Sequence, residues 1–291
     1  MAGVLILGKG FIGSRIHEEL GYPVTERKIL SFKDAEEIYK KFKPKIIINS
    51  IGHIGRNVDD CEKDIDKTLL SNTLVPLFLA ELCIRKNIKL VHISSGCIYH
   101  FDYSKEKPIK EEKFPDFFEL YYSRTKIYAE APLKLLSQRY PVLILRPRVP
   151  LDNRPHPRNL LTKLLNYKKV IDIPNSVTYI PDFIKALEYL LKIDARGIYN
   201  VVNKGTLRYP HLLEVYRKYV PDFCYKIISL KELKLVRTNL ILSTRKLEKS
   251  GFLLRDINDV LEECVRTYLT FTNHSQPCPP RRCNFSPLAT I

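Results

Sequence analysis

The first thirteen residues constrain the fold most. There Val4-Leu-Ile-Leu7 runs directly into Gly8-Lys9-Gly10-Phe11-Ile12-Gly13. A short apolar run, a glycine turn and a helical stretch make a strand–turn–helix unit. In G-x-G-x-x-G the first glycine permits the tight turn. The second lets backbone amides approach a pyrophosphate, and the third allows close helix–strand packing. The pattern predicts a strand over 4–7 and a helix from about 14 to 20, with the anion at the helix N-terminus. Gly8, Gly10, Phe11, Ile12 and Gly13 are therefore the first candidates for binding a dinucleotide.

The next segments alternate in the same way. A second strand, 22–25, ends where an adenosine ribose would lie, about 20 residues past the first glycine. There Glu26 suits ribose hydroxyls, while Arg27 and Lys28 suit a 2′-phosphate; the basic pair favours NADPH over NADH. A helix over 34–42, a strand over 45–49 and a helix from Cys61 past Asn72 to Lys86 follow, and Asn72 is counted with the cofactor contacts. This alternation predicts an α/β fold, a Rossmann-type doubly wound parallel sheet over residues 1–150. Beyond it, short strands (170–173, 197–202) mix with helices (181–192, 211–219). They suggest a smaller C-terminal substrate-binding lobe over 151–272, interleaved with the first domain. Residues 273–291 are rich in Pro and Ser and read as an irregular tail, in which Cys278 and Cys283 are a weak metal pair.

Chemistry concentrates between residues 90 and 126. The apolar run Leu90, Val91, Ile93 reads as a buried strand ending in Ser94-Ser95-Gly96-Cys97. Residues two apart on extended backbone share a face, so Ser95 and Cys97 can point into one pocket. Tyr122 and Lys126 are four apart and stack on one helix face. The ammonium is expected to lower the phenol's pKa, and the pair with a facing hydroxyl suits reduction of a ketone by a hydride donor. Arg56 and Asn57, in a glycine-containing loop after the third strand, are candidates for substrate contacts. So are Asn159 and Lys163, four apart at the start of the helix after the proline-rich stretch RPRVPLDNRPHPRN.

Lys+Arg 48 against Asp+Glu 32 gives a net charge of +16. Such a balance suits anionic partners, but the basic residues form no long block and no nucleic-acid motif accompanies them. The expectation is a solvated basic surface, with no nucleic acid and no membrane partner. No unbroken apolar run approaches the roughly 20 residues that span a bilayer. The N-terminus enters a strand at once, without a signal pattern, which predicts a cytosolic protein. Seven cysteines without paired metal-ligand spacing predict free thiols and no metal.

GRNVDDCE, SSGCIY, YYSRTK, PRNLLTK, VIDIPNSVT, RGIYN and LSTRKL together resemble signatures of the extended short-chain dehydrogenase/reductase superfamily. The resemblance covers roughly residues 3–250. Within that superfamily the chain most resembles the UDP-4-keto-6-deoxyglucose 3,5-epimerase/4-reductases, relatives of the dehydrorhamnose reductases. It implies Tyr122 and Lys126 as the reductase Tyr-x-x-x-Lys pair, Ser95 as the partner hydroxyl, and Cys97 with Lys163 as the epimerising base and acid, His156 being the local rival to Lys163. It further implies a UDP-sugar substrate supplied by a separate 4,6-dehydratase, and a homodimer. Two alternatives stand beside it: a single-function nucleotide-sugar 4-keto reductase, and a regulatory subunit that binds NADP without turnover.

Overall fold

The computed structural model describes residues 3–273. Cys278 and Cys283 lie outside the described residues. Strand β1 (Val4–Leu7) leads into helix α1 (Phe11–Leu20), followed by β2 (Val24–Thr25), α2 (Phe32–Phe42) and β3 (Ile46–Asn49). A 3₁₀ turn (Val58–Glu62), helix α3 (Ile65–Leu69), a π turn (Leu70–Leu74) and α4 (Val75–Lys86) come next. They lead into β4 (Lys89–Ile93), α5 (Tyr121–Leu136) and β5 (Val142–Arg146). The later elements are β6 (Pro150–Leu151), α6 (Leu160–Asn166), β7 (Lys169–Ile171), β8 (Thr178–Tyr179), α7 (Ile180–Lys192), β9 (Gly197–Asn200), α8 (Tyr209–Arg217), β10 (Lys226–Ile228), α9 (Arg245–Lys249) and α10 (Leu261–Asn273).

Six strands form one parallel sheet in the order β2-β1-β3-β4-β5-β9. The doubly wound α/β fold expected from the sequence is therefore present. Its chain reverses direction across the sheet between β1 and β3, and the crevice above such a switch point is where ligands bind. Because helices cover both faces, the strands read as apolar runs rather than alternating ones. Val4 and Ile6 pack with Val91, Leu143 and the buried face of α7. Leu5 and Leu7 point the other way, onto Ala35, Ile38, Val75 and Leu79. A separate apolar core gathers Leu151, Leu161, Val177, Tyr179, Leu212, Val265 and Tyr268.

Local chemistry explains where elements depart from expectation. Helix α1 begins at Phe11 because Gly10, in extended backbone, already accepts the first helical bond from Ser14 N at 2.9 Å. Past Ile93 the bonding to the next strand continues from Ser94 N to Leu145 O at 2.8 Å and from Gly96 N to Pro147 O at 2.9 Å, while Cys97 N turns to Ser95 Oγ at 3.1 Å. The helical run Ile65–Lys86 is long and apolar enough to cross a membrane by length and composition. Its Val75, Leu79, Leu82 and Cys83, however, are buried in the core under the sheet. Cys61, Cys83, Cys97 and Cys264 are free thiols.

Candidate functional site

A cavity of about 1220 Å³ opens along the carboxyl ends of the sheet strands. It exceeds the roughly 300–1,000 Å³ of a single small-molecule site. Each loop that follows a strand from β1 to β5 contributes: Gly8, Glu26, Ser50, Ser95 and Arg148 all line it.

One end is built by the glycine loop. Gly8 holds φ +95°, a left-handed conformation that glycine adopts without a Cβ penalty. A Cβ on Gly10 would meet no atom within 4 Å, so this glycine faces open space. The first turn of α1 has no side-chain cap, which leaves its amides available to an anion. Phe11 and Ile12 also line this end. Gly13 does not: a Cβ there would fall 2.1 Å from Gly8 O and 2.3 Å from Ser50 Oγ, so its part is helix–strand packing. Arg27 and Lys28 line the rim, with Arg27 ion-paired to Glu37 and Glu26 paired to Lys9 at 3.6 Å. Asn72 is fully buried and lies off the cavity wall. It accepts from His53 N at 2.7 Å and donates to His53 O at 2.9 Å, which pins the loop after β3.

At the centre, α5 presents Tyr122 and Lys126 to the cavity opposite Ser95 and Cys97. The Ser95 hydroxyl is near enough to the Tyr122 phenol to favour its ionised form. Burial pushes the Tyr122 pKa upward, and Cys97 adds to this while the Ser95 hydroxyl only partly offsets it. That corrects the expectation of an acidified phenol, because desolvation of the charged form outweighs the pull of Ser95 and Arg158. Lys126 is buried as well. It is 4% exposed, and burial lowers its own pKa to about 8, against the pull of Cys61 and Glu130. One turn further along α5, Glu130 is buried in an ion pair with Arg146 and accepts from Ser94 Oγ at 2.8 Å.

The far end is cationic. Lys163, on α6, lines the cavity, and its pKa is lowered by burial and by Arg158 and Arg237, with Cys97 pulling it back up. Arg158 and Arg237 line the same end. Arg237 is held by Asp59 at 2.6 and 2.9 Å; Arg158 and Lys163 have no carboxylate partner among the described residues. His156 does not line the cavity. Its ring stacks on Phe11 at 4.3 Å and 8°, and its Nδ1 accepts from Arg158 N at 3.0 Å.

Two further candidates are placed elsewhere. Asn159 is the N-cap of α6, fully buried, with Oδ1 accepting from Leu161 N at 3.1 Å and Nδ2 donating to Asp152 O and Arg154 O, both at 2.8 Å. A side chain with its amide so engaged has nothing left for a ligand. The Arg56 side chain is 94% exposed and points away from the cavity toward Asp60. Asn57 does line the cavity, while its Oδ1 caps the 3₁₀ turn through Asp59 N at 2.9 Å.

Sequence reasoning missed Arg148, Arg237, Tyr167 and Tyr209, which also line the cavity. Arg148 is followed by Val149 at φ +41°. A β-branched residue there is strained by roughly 1–3 kcal/mol, a burden typical of functional sites. The arginines of the proline-rich stretch were the signal available for Arg148; the segment around Arg237 carried none.

A family profile described as "RmlD substrate binding domain" matches residues 4–175. A bifunctional dTDP-4-dehydrorhamnose 3,5-epimerase/dTDP-4-dehydrorhamnose reductase of Arabidopsis thaliana is 37% identical over 199 residues, 65% of this chain and 64% of that protein. The trifunctional UDP-glucose 4,6-dehydratase/UDP-4-keto-6-deoxy-D-glucose 3,5-epimerase/UDP-4-keto-L-rhamnose-reductase RHM3 of the same plant is 33% identical over 278 residues, 90% of this chain and 41% of that protein. The chain thus spans less than two thirds of either curated relative. Among solved structures, the L780 UDP-rhamnose synthase of Acanthamoeba polyphaga mimivirus superposes with a TM-score of 0.83 at 27% identity, covering 91% of this chain and 98% of that one. The dTDP-4-dehydrorhamnose reductase of Bacillus anthracis in complex with NADP shares the fold, with a TM-score of 0.76 at 19% identity, covering 90% and 97%.

Proposed function

The chain belongs to the RmlD substrate binding domain family, and from that premise we propose that it is an NADPH-dependent 3,5-epimerase and 4-keto reductase acting on a UDP-linked 4-keto-6-deoxy hexose to give UDP-L-rhamnose. The observation that carries the reading is the convergence of Ser95, Cys97, Tyr122, Lys126 and Lys163 on one cavity that the glycine loop also lines. The open cradle above Gly10 and the uncapped first turn of α1 fit a dinucleotide pyrophosphate. Arg27 and Lys28 would hold its 2′-phosphate. Bound NADPH supplies the hydride for carbon 4 of the sugar.

The residues divide the remaining work. The ketone makes the hydrogens on carbons 3 and 5 acidic, because the carbanion formed is an enolate. Ser95 and Tyr122 hydrogen-bond the developing oxyanion, an effect worth about 3–4 kcal/mol per donor in comparable sites. Cys97, as thiolate, removes each proton, and Lys163 returns one from the opposite ring face. His156 is the weaker rival for that acid, since it faces Phe11 instead of the cavity. Tyr122, whose raised pKa keeps it protonated, donates to the oxygen on carbon 4 as hydride arrives. Lys126 keeps positive charge beside it. Arg158 and Arg237 supply the charge that a sugar diphosphate requires. In the same reading, residues 151–272 form the substrate lobe, and the 4-keto sugar comes from a 4,6-dehydratase, an activity fused to the reductase in the trifunctional relatives.

Incubation with UDP-4-keto-6-deoxyglucose and NADPH in deuterated water, with absorbance and then product NMR, tests the proposal. Cofactor oxidation with deuterium at carbons 3 and 5 is the expected outcome. Oxidation without that deuterium would leave a plain 4-keto reductase, and absence of oxidation would favour a binding subunit without turnover.

A further inference from the structure

Helix α1 grips the segment after β6 along one face. Phe11, Arg15, Glu18 and Glu19 fall at i, i+4, i+7 and i+8, positions that a helix lines up. The Phe11 ring stacks on His156 at 4.3 Å and 8°. Arg15 Nε donates to Asp152 Oδ2 at 2.9 Å, and Arg154 donates to Glu18 and Glu19 at 2.8 and 3.4 Å. Residues 152–156 are thereby tied to the helix whose uncapped first turn faces the anion site.

The turn that follows is built on His156. Pro157 takes the second position of a four-residue turn that Asn159 N closes by donating to His156 O at 2.9 Å. Inside that turn His156 Nδ1 accepts from Arg158 N at 3.0 Å, a local bond from side chain to backbone. A main-chain N–H only donates, so Nδ1 carries the lone pair and the ring proton sits on Nε2. Arg158 is the residue this bond fixes. Its side chain lines the cavity, donates to Gly55 O at 3.4 Å, and has no carboxylate partner among the described residues. It is close enough to Tyr122 and Lys163 to act on both. A long side chain loses much rotamer freedom when it grips a ligand, and a main chain already fixed lessens that loss.

We propose that His156 is a positioning residue for substrate: stacked on the first residue of the cofactor helix, it holds the Arg158 main chain through Nδ1 and so aims the guanidinium at the diphosphate of the nucleotide sugar. The inference rests on the nucleotide-sugar reading above. It gives a histidine that is turned away from the cavity a part in binding and none in proton transfer. It also makes the cofactor end and the substrate end of the cavity one framework, joined at the Phe11–His156 stack.

The test is calorimetric titration of the NADP⁺-bound protein with UDP, for the wild type, His156→Phe, His156→Asn, Arg158→Met and the double variant His156→Phe/Arg158→Met. Phenylalanine keeps a ring against Phe11 and removes the acceptor, whereas asparagine brings an Oδ1 to the place of Nδ1. His156→Phe should bind UDP about tenfold more weakly, and His156→Asn within about threefold of wild type. The double variant should bind UDP no more weakly than Arg158→Met, because His156 acts through Arg158. NADP⁺ affinity should stay within about twofold of wild type in each. Three outcomes overturn the inference: undiminished UDP binding by His156→Phe, an asparagine variant as weak as the phenylalanine one, or a further loss in the double variant, the mark of a merely structural residue. A loss of NADP⁺ affinity as large as the loss of UDP affinity also overturns it, since His156 would then support the glycine loop. A second readout needs no substitution: in ¹⁵N-labelled wild type the His156 ring should show a bare Nδ1 and a protonated Nε2, and a proton on Nδ1 would remove the bond and the inference. A wild-type chain that binds NADP⁺ but not UDP would overturn the nucleotide-sugar reading and this inference together, whereas the outcomes above overturn the inference alone.

Discussion

Replacing Lys126 with methionine should make the ligand-free protein more stable while removing its capacity to reduce a ketone. Lys126 is 4% exposed, and burial brings its pKa from the ordinary 10.5 to about 8. At roughly 1.4 kcal/mol per pH unit, that difference corresponds to about 3 kcal/mol by which the folded state disfavours the charged form. The sign follows from proton binding. Below pH 8 the lysine is charged whether folded or not, and the whole penalty acts. Between about 8 and 10.5 the unfolded chain binds more protons than the folded one, so wild-type stability rises with pH through this window. Above 10.5 the lysine is neutral in both states and the penalty is gone. Methionine fills a similar volume without charge. The variant should therefore unfold about 3 kcal/mol harder at pH 7, a melting temperature higher by on the order of 10 °C, and the gap should close as pH approaches 10.5. Denaturant unfolding of the cofactor-free proteins at pH 7 and pH 10 measures both points. A variant no more stable than wild type at pH 7, or a gap that does not shrink with pH, would refute the reasoning. The same lysine predicts that wild-type turnover declines above about pH 8 as its charge is lost.

Other substitutions probe separate parts of the site. Cys97→Ser should keep its fold and NADPH affinity yet lose deuterium exchange at carbons 3 and 5, measured by NMR; undiminished exchange would remove Cys97 from the mechanism. Gly10→Ala adds a methyl into open space, so its melting temperature should match wild type while NADPH affinity falls tenfold or more in a fluorescence titration. Gly13→Ala drives a methyl within 2.1 Å of Gly8 O, and should lose stability as well as cofactor binding in a thermal melt. Glu130→Gln leaves the Arg146 guanidinium buried without its counter-ion, a loss of about 3–5 kcal/mol that urea unfolding would report.

Much of the site was legible because its chemistry is written in fixed spacings. The glycine loop follows from three glycines between a strand and a helix, and the Tyr122–Lys126 face from a four-residue interval. Ser95 with Cys97 follows from their two-residue separation at a strand end. Asn159 was read as a ligand contact because an asparagine before a helix looks the same whether it caps or binds; the bond to Leu161 N decides. Arg56 sits one residue from Asn57, which lines the cavity, yet turns outward to Asp60, a choice made by loop geometry that no periodicity encodes. Arg237 reaches the cavity from the far end of the chain, held by Asp59, 178 residues away in sequence. The direction of the Tyr122 pKa was misjudged because a sequence reports neighbours but not depth.

The sixth strand of the sheet has a consequence for synthesis. β5 pairs on its outer side with β9, Leu143 facing Gly197 and Arg146 facing Asn200. About fifty residues, including α6 and α7, separate the two strands along the chain. At roughly 5–20 residues per second, a ribosome needs on the order of 3–10 s to deliver β9 after β5 has emerged. During that interval the row of apolar residues Val142 to Leu145 has an uncovered edge, the kind of surface that recruits other strands. The nascent chain is most vulnerable to aggregation then, and a chaperone that protects it would have its work concentrated in those few seconds.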